Sequence, residues 1–407
     1  MAENAENTNS TYELKTANIM VAGKTGTGKS TLLNAVFGEE LAETGTGRPV
    51  TDHIAEYEHE DIPVHIWDTV GLELDSEKTN QSISEIKNTI ASKSDSKNSL
   101  DQIHAIWYCI NSGSNRYEGA ELNFIKELYS IGVPFTIVMT QCYGAKKKIS
   151  EFEEVIKRIN AEMGLENVPI IRVLAQDYEV EIDDDNIVTK PAFGLDVLVD
   201  STMEQLPSYI QSGFIAAQRV NESLKHSECE KLIWDYIVKI HDNYWSKFKI
   251  INWDNVPLIN WLTADAHVKD LFKDISKIYN SAVPEESLNT ILQNLGSISP
   301  EIAHQALIKF KVPEAFNDKI KEKYSANANG EFDDDYSKLS TNMRVSRLII
   351  LYGYTFLEAI EELWEAIQRG EEKDLEQRVR DLVESIREKV YKVYNSSRTD
   401  QIRLETR

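Results

Sequence analysis

Gly23-Lys24-Thr25-Gly26-Thr27-Gly28-Lys29-Ser30-Thr31 decides how this 407-residue chain is read. The stretch fits G-x-x-x-x-G-K-[ST]. It follows the apolar run Ala17-Asn-Ile-Met-Val-Ala22 and opens a helical pattern that reaches Phe37. A strand, a glycine loop and a helix in that order make a phosphate cradle. The glycines let the backbone turn tightly, so that successive N–H groups point inward. The helix start adds unpaired donors and the positive end of its dipole. Gly23, Thr25, Gly26, Thr27, Gly28, Lys29, Ser30 and Thr31 are therefore expected to surround the phosphates. Lys29 is expected to bridge the β- and γ-phosphates and to serve catalysis, and the Ser30 hydroxyl to bind Mg2+.

Downstream, Val64-His-Ile-Trp67 runs into Asp68-Thr69-Val70-Gly71. A strand that ends in D-x-x-G puts a carboxylate where it can hold the metal through water. Its glycine N–H can then sense the γ-phosphate, so Asp68 is expected as a metal residue and Gly71 as a catalytic one. Between the two motifs lies Gly47-Arg-Pro-Val-Thr51-Asp52. Thr51 is expected to close over the metal and the γ-phosphate, ordering this mobile stretch only in the triphosphate state.

Further strands are expected at Ile103 to Ile110, Phe135 to Met139 and Ile170 to Leu174, with helices at Ala120 to Ser130 and Glu151 to Met163. Strands alternating with helices indicate parallel βαβ units in a doubly wound sheet. The acidic stretch Glu179 to Asp185 reads as a solvated loop or a short hairpin. Beyond about Leu206 helical periodicity takes over. The periodicity is clear over Ile210 to Ser246, and two long helices are expected over Leu339 to Gln368 and Asp374 to Tyr394. In the last, Leu375, Val379, Leu382, Val383, Ile386, Val390 and Val393 form a stripe suited to a bundle face. Asn327 to Asp335 reads as an exposed loop. The expected fold class is an α/β P-loop NTPase, a Ras-like G domain with a mostly parallel sheet, followed by an all-α helical domain. The expected boundaries are 1–16 for a flexible N-terminus, 17–205 for the G domain, 206–395 for the helical domain and 396–407 for a C-terminal tail.

The phosphate loop, Pro-Val-Thr51 and Asp68-Thr-Val-Gly71 together resemble the Era-like and septin-related GTPases of the TRAFAC class, including the HSR1-type and immunity-related groups. Ile106-Trp-Tyr-Cys-Ile-Asn111 and Val173-Leu-Ala-Gln176 are similar to members of the same set. The likeness covers roughly 17–205 and extends through Phe214-Ile-Ala-Ala-Gln218, as in relatives that carry a helical C-terminal domain. It implies a magnesium-dependent switch that binds GTP or GDP and hydrolyses GTP. Thr51 would then be the switch I threonine. Ala175 would belong to the base-contacting loop through its backbone, with Gln176, Thr140 and Gln141 also on the nucleotide.

Two positions depart from that pattern. Guanine is usually read by [NT]-K-x-D, where the aspartate accepts two hydrogens from the base. Here the run is Thr140-Gln141-Cys142-Tyr143, and Asp177 is the nearest replacement for the missing carboxylate. The residue after Gly71 is Leu72, which cannot orient an attacking water. His53, Asp52 or a residue of a second subunit would have to do so, and turnover should be slow. Where some relatives carry a potassium-binding asparagine, this chain has Gly26. An ATPase and a nucleotide-gated scaffold with negligible hydrolysis remain as alternatives to the GTPase.

Composition narrows the partners. With 44 basic and 67 acidic side chains the formal charge is −23, which repels phosphate backbones and anionic head groups. Nucleic acid is not expected as a partner, and a membrane surface is disfavoured. A homodimer or a protein partner is open. Three cysteines without metal-ligand spacing suit a reducing, cytoplasmic setting, and the eight histidines show no metal spacing. Lys146-Lys147-Lys148 reads as a solvated face. Trp245, Trp253 and Trp261 read as core residues of the helical part.

Overall fold

Ala17–Gly23 forms strand β1, and every one of its seven residues is buried. A strand without polar alternation is one covered on both faces. Its single polar side chain, Asn18, donates to the carbonyls of Leu100 and Gln102, both at 2.7 Å. The computed structural model describes residues 12–38, 48–51, 54–69, 76–94, 99–114, 117, 120–183, 186–248, 266–280, 283, 285–296, 312–313, 316, 319, 322, 341–371 and 374–405. The expectations for Gly71, Leu72, Asp52, His53, Trp253, Trp261 and Asn327 to Asp335, and for the side chains of Thr51 and Trp245, lie outside the described residues.

Strand β1 is central in a seven-stranded sheet. The other strands are β2 (Arg48–Thr51), β3 (Ile54–His59), β4 (Ile62–Thr69), β5 (Ala105–Asn111), β6 (Phe135–Thr140) and β7 (Ile170–Arg172), and the spatial order is β2-β3-β4-β1-β5-β6-β7. Strands β4, β1, β5, β6 and β7 run parallel, and β3 is antiparallel to both β4 and β2. The sheet is thus mostly parallel, as expected. The β2–β3 edge was not legible as strands, because only Ile54 and Ala55 of β3 turn to the core and the rest is polar.

Among the described residues this part also has the α-helices α1 (Lys29–Phe37), α2 (Ser76–Ser94), α3 (Ala120–Tyr129), α4 (Lys146–Glu162), α5 (Leu195–Gln205) and α6 (Ser208–Ala217). On one face Phe37 of α1 stacks on Trp107 of β5 at 5.8 Å and meets Phe214 of α6 edge-on at 6.1 Å. The Trp107 indole donates to Thr202 of α5 at 3.0 Å. The other face packs Tyr108, Ile106 and Met20 against Ile86 and Ile90 of α2, Phe124 and Leu128 of α3, and Phe152 and Ile156 of α4. Helix α4 starts earlier than expected, so Lys146, Lys147 and Lys148 form its exposed first turn. The acidic stretch after Asp177 is a hairpin, β8 (Tyr178–Asp183) paired with β9 (Asn186–Lys190).

The stretch Ile210 to Ser246 is helical on both sides of a break at Gln218. Gln218 is fully buried and extended (φ −75°, ψ 150°). Its side-chain oxygen accepts from the Val220 and Asn221 N–H groups, each at 2.7 Å. That side-chain turn replaces the helical ladder, and α7 (Glu222–Phe248) starts afresh.

The chain divides into two compact units. One is Leu14–Glu222; the other takes Ser223–Arg407 together with Met1–Glu13. The first therefore runs past the expected boundary at 205, since α6 packs on β1 and β4. In the second, α8 (Ala266–Ile278) and α9 (Glu285–Gly296) pack with two long helices, α10 (Thr341–Gln368) and α11 (Leu375–Glu405). Phe272 of α8 stacks on Phe356 of α10 at 4.2 Å. Leu382, Ile386 and Val390 of the expected stripe are buried where α11 meets α9 and α10. Helix α11 continues to Glu405, through residues expected as a tail. Among the described residues no helix is long and apolar enough to cross a membrane.

Candidate nucleotide site

The loop between β1 and α1 folds as its glycines dictate. Gly23 has φ +149° and is the register partner of Cys109, whose carbonyl would lie 2.5 Å from any Cβ placed there. Gly28 sits left-handed at φ +83° as the N-cap of α1 and offers no side chain to the helix's first N–H groups. The first turn also holds no acidic residue, so those donors and the helix dipole serve the loop. Within the loop the Thr27 N–H and hydroxyl both donate to the Lys24 carbonyl, at 3.3 and 2.8 Å. The Lys29 ammonium donates to the carbonyls of Gly23 at 3.0 Å and Lys24 at 3.3 Å, and its side chain is buried. Thr25, Ser30 and Thr31 are exposed. The arrangement is a turn with its lysine folded back over it, which can neutralise an anion seated against the loop.

Asp68 lies near the end of β4 in register with Val21 of β1, two residues before the loop begins. It is 8% exposed, and burial pushes its carboxyl up to about 6, opposed by the Lys29 charge. Its Oδ1 is buried with no hydrogen-bond partner among the described residues, and so is Thr69 Oγ1. An unsatisfied buried carboxylate oxygen is a strong acceptor in search of a donor, such as a water held by a metal. Among the described residues no cluster of three or more metal-type side chains exists. A magnesium ion that keeps its waters and takes ligands from phosphate needs few protein oxygens, so an exposed hydroxyl at Ser30 and the Asp68 carboxylate suit one. The backbone of Thr51 pairs with Ile54, and Ile54 with Thr69, which puts Thr51 on the row of residues next to Asp68.

Because the Asp68 carboxyl titrates near 6 rather than 3.8, the folded chain holds this proton more tightly than the unfolded one. Its contribution to stability is complete below about pH 4 and is lost as the pH rises through 6. Asp68→Asn is therefore expected to stabilise the nucleotide-free chain by about 1–2 kcal/mol at pH 7 and to change little at pH 4. Thermal unfolding at the two pH values checks this, and equal melting of the two proteins at pH 7 would contradict it.

On the other side of the loop, Thr140 at the end of β6 donates to the Thr27 carbonyl at 2.5 Å and to Ile110 at 3.2 Å. Gln141 follows with φ +54°. Its amide nitrogen donates to the Gly26 carbonyl at 2.9 Å, its amide oxygen accepts from Asn111 at 2.9 Å, and its backbone carbonyl accepts from Ser112 at 2.8 Å. Gln141 in the lysine position thus ties this segment to the phosphate loop. Asn111 and Ser112 were missed as members of the site. The signal was a polar pair ending an otherwise apolar strand, directly in register with Thr140. Tyr143, in the aspartate position, stacks on Tyr178 with ring centroids 4.1 Å apart. Ala175 is half-buried and Gln176 exposed on the segment after β7. Asp177 spends one carboxylate oxygen on the Ala192 N–H at 2.7 Å, so it closes the stem of the hairpin.

A further anchor was not foreseen. Lys24 in the loop pairs with Glu121 at 2.6 Å, and Glu121, 2% exposed at the start of α3, also accepts from the Tyr108 hydroxyl at 3.2 Å. All three cysteines are free and buried, and burial pushes the Cys109 thiol beneath the loop up to about 12, which leaves it unreactive.

Residues 18–141 match the sequence profile of the family described as 50S ribosome-binding GTPase, MMR_HSR1. No curated protein matches the chain. Among solved structures, a bacterial selenocysteine-specific elongation factor EF-Sec aligns at 17% identity over 40% of this chain and 26% of its own, with a TM-score of 0.27. Era from Aquifex aeolicus, bound to GDP·AlF4−, aligns at 19% identity over 48% of this chain and 58% of its own, with a TM-score of 0.32. A probable GTP-binding protein, EngB, aligns at 18% identity over 46% of this chain and 97% of its own, also at 0.32. The chain thus spans about a quarter of the length of the first and somewhat over half of the second. The phosphate loop, the parallel sheet that carries it and the profile match over residues 18–141 give the N-terminal part of this chain the fold of a P-loop GTPase domain.

Proposed function

We propose that this chain binds GTP with magnesium, hydrolyses it to GDP and phosphate, and uses the difference between the two states as a conformational switch. The observation that carries the reading is the Lys29 ammonium folded over a loop whose helix start is left uncapped. In this reading the backbone N–H groups from Gly23 to Thr31 hold the β- and γ-phosphates. Lys29 neutralises the charge that spreads over the transferred phosphoryl group during in-line attack by water. Ser30, Thr51 and, through water, Asp68 would hold magnesium, which supplies further neutralisation of that charge. Thr51 and Gly71 would close on the γ-phosphate and relax once it leaves. Thr140, Gln141, Ala175 and Gln176 form the base side. Leu72 gives no means to orient the water, so slow turnover that a second copy or a protein partner accelerates fits the sequence. The free, buried cysteines and the acidic charge suit the cytoplasm. The two motifs and the HSR1-type match support placement among the Era-like and septin-related GTPases.

Phosphate release from GTP, measured with and without EDTA at several protein concentrations, tests this. The expected result is slow, EDTA-sensitive release. Tight GTP binding with no release at any concentration would instead favour a nucleotide-gated scaffold. An ATPase is permitted as a second reading, because Tyr143, stacked on Tyr178, stands where guanine is normally read by a carboxylate.

A further inference from the structure

The hairpin β8–β9 joins the two segments that flank the base side of the site. Its stem closes where Leu174 and Phe193 exchange backbone hydrogen bonds, both 3.0 Å long, and where Asp177 takes the Ala192 N–H. It therefore grows directly out of the Ala175–Gln176 segment. Tyr178 and Lys190 are register partners, so their side chains leave the hairpin on the same face. Both reach the segment after β6. Tyr178 stacks on Tyr143 at 15° between the ring planes, and Lys190 donates to the Tyr143 carbonyl and, at 3.3 Å, to that of Gly144.

The Thr140–Gly144 segment is thereby held from two sides. Thr140 and Gln141 tie it to the phosphate loop, and Tyr178 and Lys190 tie it to the hairpin. The lysine contact is charge-assisted, the stronger kind of hydrogen bond. It satisfies two turn carbonyls next to Gln141, whose left-handed backbone (φ +54°) needs outside support. A base is told from its competitors by fixed donors and acceptors along its edge, and fixing them in advance is what makes the discrimination large. Without a carboxylate at position 143, that discrimination depends on how rigidly the rest of the segment is held.

We propose that the hairpin β8–β9 is the positioning element of the base pocket, and that Tyr178 and Lys190 set nucleobase selectivity by fixing the Thr140–Gly144 segment. This rests on the nucleotide-binding reading above. Among the described hydrogen bonds the hairpin reaches the Thr140–Gly144 segment and not the phosphate loop itself, so the effect should fall first on the base and less on the phosphates.

The test is calorimetric titration of the full chain and of Lys190→Ala, Lys190→Arg, Tyr178→Ala and Tyr178→Phe with GDP, ADP and inorganic tripolyphosphate. Both alanine variants should bind GDP about tenfold more weakly, with ADP and tripolyphosphate within about twofold of wild type, so that the preference for GDP over ADP shrinks. Lys190→Arg and Tyr178→Phe should recover most of the loss. Alanine variants that lose GDP and tripolyphosphate alike, or that lose neither, would overturn the positioning role while leaving the nucleotide site standing. A wild-type chain that binds neither GDP nor ADP would overturn the nucleotide-binding reading itself, and this inference with it.

Discussion

Lys29→Ala should weaken GTP and GDP binding by about 100-fold or more. In the folded chain the ammonium is buried and is already held to the carbonyls of Gly23 at 3.0 Å and Lys24 at 3.3 Å, so little rotamer freedom remains to be lost when phosphate arrives. Each charge-assisted bond to phosphate is worth about 1.5–3 kcal/mol, and this cation would serve the β-phosphate in GDP and both the β- and γ-phosphates in GTP. Alanine removes that charge and also leaves the two loop carbonyls without their donor. It takes away, too, the charge that holds the Asp68 carboxyl down, so Asp68 should titrate higher still in the variant. Equilibrium titration of wild type and variant with GDP gives the ratio, and melting without nucleotide shows whether the fold survived. A folded variant that keeps wild-type affinity would mean the loop does not hold phosphate.

Gly23→Ala should destabilise the first unit by about 3 kcal/mol. The new Cβ would lie 2.5 Å from the Cys109 carbonyl, 3.1 Å from Thr27 Oγ1 and 3.2 Å from Cys109 Cβ, at a φ of +149° that alanine rarely adopts. The nearest atom is backbone in β5, paired in register with β1, so relief requires moving two central strands. Gly26→Ala is the control. It meets nothing within 4 Å and carries only the strain of φ +75°, so its cost should be about 1–2 kcal/mol. Denaturant titration of both variants checks the order, and a Gly26 variant less stable than the Gly23 one would contradict this account of the loop.

How much of this was legible in the sequence depends on where the information resides. Strand β1 and the phosphate loop announce themselves, because an all-buried strand is one apolar run and left-handed backbone requires glycine at fixed places. The D-x-x-G aspartate is likewise a strand-end signal, and Asp68 lies beside the loop through the β1–β4 register. The base side was harder to read. Gln141 looks like a failed motif residue in the sequence, yet in the fold its amide links Gly26 to Asn111, a relation between positions far apart in the chain. Asp177 reads as a spare carboxylate in the sequence, and in the fold one of its oxygens caps the stem of a hairpin that the acidic stretch offered only as one of two readings. The break at Gln218 was hidden for the same kind of reason. Apolar periodicity continues through it, and the turn is made by a side chain that bonds to the backbone two and three residues on. Side-chain-made turns and cross-chain amide links leave no periodic trace.

The most direct test of the central claim is calorimetric titration of the wild-type chain with GDP and ADP in the presence of magnesium. The account predicts micromolar or tighter GDP binding and much weaker ADP binding, despite tyrosine at position 143. ADP binding equal to or tighter than GDP binding would contradict the GTPase assignment and make the chain an adenine-nucleotide protein.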